Sequence, residues 1–250
     1  MSAALALLLP LSLLGAAHAA PPAAGDLVIT EILADDACGY NEWFEVLNVS
    51  GAEVDLDGCT LQAVNRASGT EYDHTVAGPA TVGPGAYGIL MRSSSGCGDA
   101  LTVDAGATVP TVYKYGSLRM PNADPGELRI TCGTELIDEV AFDSSEFPCD
   151  DTTYGSCTLQ LDPTGPQTAA ANDDALVVDE AWCPSNTADT YLDNTPVDDE
   201  PAGPRTVLGT PGSSNQCGDG GVTGGGDGGD GGDGGDGGGG DDGDVVVPVD

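Results

Sequence analysis

Two histidines, 41 carboxylates and eight cysteines are the side chains of this 250-residue chain with chemistry to offer. His18 falls in an apolar N-terminal stretch, which leaves His74. A Ser-His-Asp triad built on His74 with Asp73 or another carboxylate requires the imidazole between nucleophile and acid. No G-x-S-x-G elbow accompanies it, so His74 reads as a surface-loop histidine. Zinc hydrolysis needs several ligands, usually histidines, and cannot be assembled from one. The carboxylates are numerous enough for a glycosidase pair. Nothing marks one pair as special, and in a chain this acidic they read as a solvated surface.

Calcium is the cofactor that the acidic clusters admit, because hard cations take several carboxylate, amide and carbonyl oxygens. The clusters are Asp35-Asp36, Asn172-Asp173-Asp174, and Asp193-Asn194 with Asp198-Asp199-Glu200. Asp193, Asp198, Asp199 and Glu200 are the metal candidates taken forward. None of these clusters has the EF-hand pattern. Asp55-Leu56-Asp57-Gly58 reads as a turn. Asn48-Val49-Ser50 fits the N-glycosylation acceptor pattern, but it ends a strand and is read as coincidence.

The cysteines are Cys38, Cys59, Cys97, Cys132, Cys149, Cys157, Cys183 and Cys217. Their number is even and no pair has C-x-x-C spacing, which argues against a zinc ribbon or a redox site. The expectation is an oxidising compartment and up to four disulfides. Eight cysteines allow about 105 pairings, so the connectivity stays open. Cys183–Cys217 is the favoured pair because it would close a C-terminal arm onto the fold.

The chain carries a formal charge of −35, with only six basic residues. Four of these, Arg92, Lys114, Arg119 and Arg129, fall in one stretch, so any positive patch should form there. Nucleic-acid binding relies on Lys and Arg neutralising phosphates, and this balance excludes it. Residues 1–20 read as a signal peptide, with an apolar core from Leu5 to Leu14 and Ala17-His18-Ala19 before the cleavage point. No Lys or Arg precedes that core, and an uncleaved anchor is the competing reading. Pro10, Gly15 and the Ala-His-Ala site favour cleavage, with a mature chain beginning near Ala20 and no transmembrane span after it. Residues 218–250 are nearly all Gly and Asp. They have too little apolar surface to offset the entropy of ordering, and are expected to be disordered.

The elements that must position these groups are strands. Leu27–Leu33 alternates, placing Leu27, Ile29 and Glu31 on one side and Val28, Thr30 and Ile32 on the other. Trp43–Val49 is rich in aromatic and β-branched residues, which suit a pleated, half-buried surface. Ser50-Gly51 and Asp57-Gly58 are turns. Further strands are expected at Cys59–Val64, Tyr72–Val76, Tyr87–Met91, Val112–Leu118, Glu127–Cys132, Leu136–Phe142 and Cys157–Leu161. Gly and Pro interrupt every helical period. The chain is therefore all-β, an antiparallel sandwich or barrel. Residues 25–162 form the sandwich, 163–217 an irregular arm held by Trp182, Cys183 and Cys217, and 218–250 the tail.

Three segments carry a resemblance to a known family. Ile29-Thr30-Glu31-Ile32 looks like a first strand. Asn41-Glu42-Trp43-Phe44-Glu45-Val46-Leu47-Asn48, followed by Val54-Asp55-Leu56-Asp57-Gly58-Cys59-Thr60-Leu61, looks like a signature strand–turn–strand. Gly209-Thr210-Pro211-Gly212-Ser213-Ser214-Asn215 looks like a closing segment. Together they resemble the lamin tail domain, in the form found in exported bacterial proteins. The resemblance implies an immunoglobulin-like antiparallel β-sandwich over Leu27 to about Asp162. Two departures stand out. Cys59 occupies the place where a large aromatic often follows the turn, and eight cysteines are foreign to nuclear members. The chromatin role of those members is not carried over, because the charge opposes it.

The functional expectation is a non-catalytic secreted or cell-surface module acting in binding, adhesion or envelope structure. Its expected partner is a protein or polysaccharide of the envelope, and no catalytic cofactor is called for. The competing reading is an accessory binding domain for an extracellular hydrolase or for polysaccharide, with calcium as a possible requirement.

Overall fold

The computed structural model describes residues 19–34, 42–92, 101–103, 108–109, 111–122, 124–143, 156–175, 181–185, 190–193 and 205–217. These residues form strands and turns, and no helix occurs among them. The strands of the first half are β1 (Leu27–Leu33), β2 (Trp43–Asn48), β3 (Val54–Asp55), β4 (Thr60–Asn65), β5 (Thr70–Thr75), β6 (Thr81–Val82), β7 (Tyr87–Arg92), β8 (Leu101–Val103) and β9 (Thr108–Val109). Those of the second half are β10 (Thr111–Tyr115), β11 (Gly126–Cys132), β12 (Glu135–Phe142), β13 (Ser156–Cys157), β14 (Leu159–Leu161), β15 (Asp174–Ala175), β16 (Trp182–Pro184), β17 (Thr190–Asp193) and β18 (Arg205–Leu208).

Two sheets make a β-sandwich. One has the order β10-β7-β2-β1-β14-β16, the other β15-β12-β11-β4-β5. Apolar residues from both sheets share one core, with Phe44, Val46 and Leu90 from the first and Leu61, Leu128 and Val140 from the second. A third sheet, β13-β18-β17-β8-β9, and a β3–β6 pair complete the fold. Most neighbouring strands are antiparallel, but β10 runs parallel to β7, β15 parallel to β12 and β13 parallel to β18. The chain beyond residue 162 also enters the sandwich. β16 is an edge strand on β14, and the Trp182 indole nitrogen donates to the Asn172 carbonyl at 3.0 Å.

Strand β1 departs from simple alternation, and the departure creates the site described below. Its register against β2 pairs Ile29 with Val46 but Glu31 with Glu45, so Thr30 is an inserted residue. Opposite residues of a ladder share a face. The bulge therefore puts Leu27, Ile29 and Ile32 with the core residues Val46 and Phe44 of β2, and turns Glu31 and Leu33 to the other face. The regular reading would have left Glu31 among apolar side chains and Ile32 outside. One extra residue reverses both, as bulges do when they re-aim side chains.

The turns follow their chemistry. Asn48 is fully buried; its amide donates to the carbonyls of Ala52 and Val82, each at 2.8 Å, and its oxygen accepts the Ser50 amide at 2.9 Å. The acceptor-like sequence at Asn48 is thus an interior turn brace. In Asp55-Leu56-Asp57-Gly58 the carboxylates accept backbone amides, Asp55 from Asp57 and Ala80, and Asp57 from Gly78. Gly58 has a φ of 79°, the left-handed region that glycine enters without strain. Cys59, at the end of this turn, is buried and bonded to Cys132 at the end of β11. A covalent bridge stands where the resemblance anticipates an aromatic ring.

Candidate functional site

His74 lies on β5 against the β10 edge of the opposite sheet. The Ala77 amide donates to the Tyr113 hydroxyl at 3.1 Å, and Tyr113 stands 3.0 Å from Nε2 of His74. Nδ1 is 3.0 Å from Ser117 Oγ, and Ser117 donates to the Asp73 carbonyl at 2.9 Å. Each hydroxyl has one proton. Ser117 spends its proton on Asp73, so it accepts from Nδ1–H, and Nε2 then accepts from Tyr113. Burial lowers the His74 pKa and favours the neutral ring. His74 is a donor to Ser117, the reverse of the base in a triad. Its role here is to tie the two sheets together at one edge.

An extensive buried polar assembly among the described residues lies on the far face of the six-stranded sheet, beneath residues 209–216. Glu31 is the central acceptor. Its Oε1 receives Thr158 Oγ1 at 2.5 Å, Gln160 Nε2 at 2.9 Å and the Thr210 amide at 2.9 Å. Glu45, directly opposite on β2, receives the Thr30 hydroxyl at 3.0 Å and the Gly212 amide at 2.6 Å. Asn215 donates to the carbonyls of Thr30 and Leu161 at 2.7 and 2.9 Å, which satisfies backbone beside the bulge. Gly209 is required by proximity, since a Cβ there would lie 2.8 Å from Glu31 Oε1. The Cys183–Cys217 bridge fastens the segment at its end, joining β16 to the chain just past Gln216.

Burial raises the pKa of Glu31 against the pull of its donors. Burial, and then the neighbouring Glu31 charge, push Glu45 well above the usual carboxylate range. Both groups are closed off from solvent. The arrangement holds a strand and a closing segment together rather than offering a reactive pair to a substrate.

On the core side of the same bulge sits Asp138 of β12. Its Oδ2 accepts the Ile29 amide at 2.6 Å and Asn172 Nδ2 at 2.8 Å, while Asn172 also donates to the Ile29 carbonyl at 2.9 Å. Asp138 Oδ1 and Asn172 Oδ1 are buried without partners. Burial drives the Asp138 pKa up to about 7. A carboxylic acid there turns an unpartnered acceptor into a donor, at a place where another unpartnered acceptor exists.

Two concave features with open access occur among the described residues: one of about 400 Å³ beside the Cys59–Cys132 bridge, lined by Pro21, Pro22, Asp57 and Glu135 among others, and a polar one at one end of the sandwich. Glu42 precedes β2 and Arg92 ends β7, and both are nearly buried at 7% and 6% exposure. Their side chains pair at 2.7 Å. Glu42 also accepts the Met120 amide at 2.8 Å, and its carbonyl accepts the Tyr115 hydroxyl at 3.1 Å. Burial raises the Glu42 pKa, opposed by the Met120 amide and Arg92, with a smaller contribution from Arg119. Asn65 and Tyr72 approach from the opposite sheet, and Arg119, Met120, Pro121 and Asn122 close the side. Together they line a cavity of about 390 Å³. That volume lies within the range of small-ligand sites.

Two of the four basic residues expected to gather, Arg92 and Arg119, do meet in this cleft. Arg129 is instead held by Glu127 and Glu139 on the five-stranded sheet. Of the calcium candidates, Asp198, Asp199 and Glu200 lie outside the described residues, as do Asp35, Asp36 and Asn194. Asp193 is described only as backbone of β17. Asn172 is a buried brace, and Asp173 is exposed. Among the described residues no group of three or more His, Cys, Asp or Glu is placed to hold a metal.

Cys183 pairs with Cys217 and Cys59 with Cys132; Cys157 is also disulfide-bonded, and Cys38, Cys97 and Cys149 lie outside the described residues. Residues 1–18 and the tail from 218 also lie outside them. The bridges fit an oxidising, extracellular setting. No helix among the described residues is long and apolar enough to cross a membrane.

Glu42, Asn65, Arg92 and Arg119 do not stand out as a site in the sequence, because they come from four separated segments. The odd spacing of Glu42 and Glu45 within one strand motif is the available signal. The chain matches no protein-family model and no curated protein sequence.

Proposed function

We propose that the chain is a non-catalytic, exported binding module of the lamin-tail type, with an immunoglobulin-like sandwich, acting in adhesion or envelope structure outside the cytoplasm. One observation carries this reading. The three segments that resemble the family, around Glu31, Glu45 and Thr210, are far apart in sequence yet meet in a single hydrogen-bonded assembly. Their convergence in one assembly supports reading the resemblance as common architecture. The disulfides and the −35 charge favour an extracellular module over a nuclear one.

The test is expression of the full chain with its own N-terminus. Protein recovered outside the cytoplasm should begin near Ala20, co-sediment with envelope material, and release no sugar or peptide from it. Recovery only with Met1 intact, or release of product, would overturn the proposal. The cleft floored by Glu42 and Arg92 favours a second reading, an accessory module for polysaccharide. It is a polar, open cavity of small-ligand size, whereas the Glu31–Glu45 assembly is closed off from solvent.

A further inference from the structure

We infer that Thr210 and Gln160 join in an intramolecular ester: the Thr210 hydroxyl attacks the side-chain amide of Gln160, and Glu31 carries the proton. The inference needs no external ligand. Glu31, Gln160 and Thr210 are all buried, so whatever chemistry they have is with one another.

Geometry comes first. Thr210 Oγ1 lies 3.0 Å from Gln160 Nε2, one bond removed from the carbonyl carbon under attack. One carboxylate spans both reacting groups. Glu31 Oε1 accepts from Gln160 Nε2 at 2.9 Å, and Oε2 accepts from Thr210 Oγ1 at 3.2 Å. The amide orientation is set by its neighbours, since its nitrogen faces this carboxylate and its oxygen accepts the Gln216 amide at 3.2 Å. That backbone donor stands where negative charge develops on the carbonyl oxygen. Thr210 has one proton and two acceptors, Asn215 Oδ1 at 3.0 Å and Glu31 Oε2. Rotating the hydroxyl from the first to the second hands the proton to a base. Burial raises the Glu31 pKa and so strengthens that base.

The step balances without an outside reactant. The bond from Oγ1 to the Gln160 carbonyl carbon forms, and the bond from that carbon to Nε2 breaks. Glu31 takes the Thr210 proton and passes it to Nε2, which leaves as ammonia. Exclusion of water then spares the ester from hydrolysis. Asn215 is not an equivalent partner for Thr210. Its nitrogen donates to the carbonyls of Thr30 and Leu161, which cannot protonate a leaving amine. The ester links positions 50 residues apart and fastens the start of the closing segment, whose end is already fastened by Cys183–Cys217.

The test is peptide mapping of the full chain by mass spectrometry. After reduction and alkylation, a protease that cuts beside acidic residues severs the chain between Gln160 and Thr210, with Asp162 and Glu200 among its sites. The Gln160 and Thr210 peptides should stay joined, at about 17 Da below their summed mass, the ammonia lost when the nucleophile displaces it. Mild hydroxide should separate them and convert Gln160 to a glutamate. Thr210→Val keeps the backbone amide and the shape without the hydroxyl, and should give separate, unmodified peptides. Thr210→Ser should restore the link. Separate, unmodified peptides from the parent would overturn the inference, whether or not the variants fold. A link that persists in Thr210→Val, or that resists hydroxide, would overturn it as well, by placing the bond on another pair or making it something other than an ester.

Discussion

Stability should fall as pH rises through neutrality, and Asp138 should account for a measurable share of the fall. Its folded-state pKa is about 7 against an ordinary 3.8. The folded protein therefore binds this proton more tightly than the unfolded chain does. The resulting stabilisation is fully present below pH 3.8 and is lost as pH rises through about 7. Over the whole window it amounts to about 4 kcal/mol, at about 1.4 kcal/mol for each tenfold difference in proton affinity between the folded and unfolded chain. Between about pH 5 and about pH 8 the loss is about 3 kcal/mol, or about 6–10 degrees in melting temperature for a domain of this size.

Glu31, Glu45 and Glu42 are raised too and add slope of the same sign. The exposed carboxylates add general repulsion, which salt screens. The discriminating comparison is the parent against Asp138→Asn, in urea melts at several pH values in high salt. Asparagine retains an acceptor for the Ile29 amide and cannot ionise. The variant should lose about 3 kcal/mol less than the parent across that interval. Asp173 and Glu139 are the other carboxylates near this position, and both are retained in the comparison. Identical slopes for parent and variant would mean that Asp138 is ionised in the folded protein, and the burial argument would be wrong.

Cys183→Ser with Cys217→Ser should lower stability by about 4 kcal/mol, the loop entropy for a sequence separation of 34; a urea midpoint unchanged from the parent would show that the bridge constrains nothing. Gly209→Ala places a methyl group 2.8 Å from Glu31 Oε1, and should cost about 1–3 kcal/mol by overpacking, read by thermal melts. Melts with calcium, with magnesium and with sodium at matched ionic strength test Asp193, Asp198, Asp199 and Glu200. The calcium reading expects a rise specific to calcium, since a bound ion stabilises by mass action, and equal calcium and magnesium effects would reduce it to screening.

The strands were legible where local chemistry decides them. Leu27–Leu33 has the bounds expected from alternation, and Trp43 to Asn48 those expected from its aromatic and β-branched residues, within one residue. The turns at Ser50-Gly51 and Asp57-Gly58 were likewise visible. The bulge at Thr30 was not, because an inserted residue leaves no mark in a seven-residue pattern; only the partner strand reveals it. The parallel edge pairings and the third sheet were hidden for the same reason, being set by contacts between distant segments. Of the two bridges with both partners described, Cys183–Cys217 joins neighbours along the arm and could be anticipated. Cys59–Cys132 spans 73 residues and becomes obvious only once β4 and β11 are adjacent. The cleft was least legible, since its residues reach one end of the sandwich from four parts of the chain.

The spacing of Glu42 and Glu45 shows how a short motif serves both ends of this architecture. Residues three apart on extended chain point to opposite faces. Glu45 accordingly meets the closing segment on the far face, while Glu42 lies on the core side with Phe44 and reaches Arg92 at the open end. Burying two glutamates so close together is costly unless each finds its own partners, and each does, by backbone amides and by either a hydroxyl or a guanidinium. The same cost guards the register. A slip of β2 by one residue would exchange the faces, putting Glu45 into the apolar core and Phe44 under a segment built to donate hydrogen bonds. These carboxylates are therefore as informative about the fold as the apolar residues around them, and Glu42 extends their influence to the floor of the cleft.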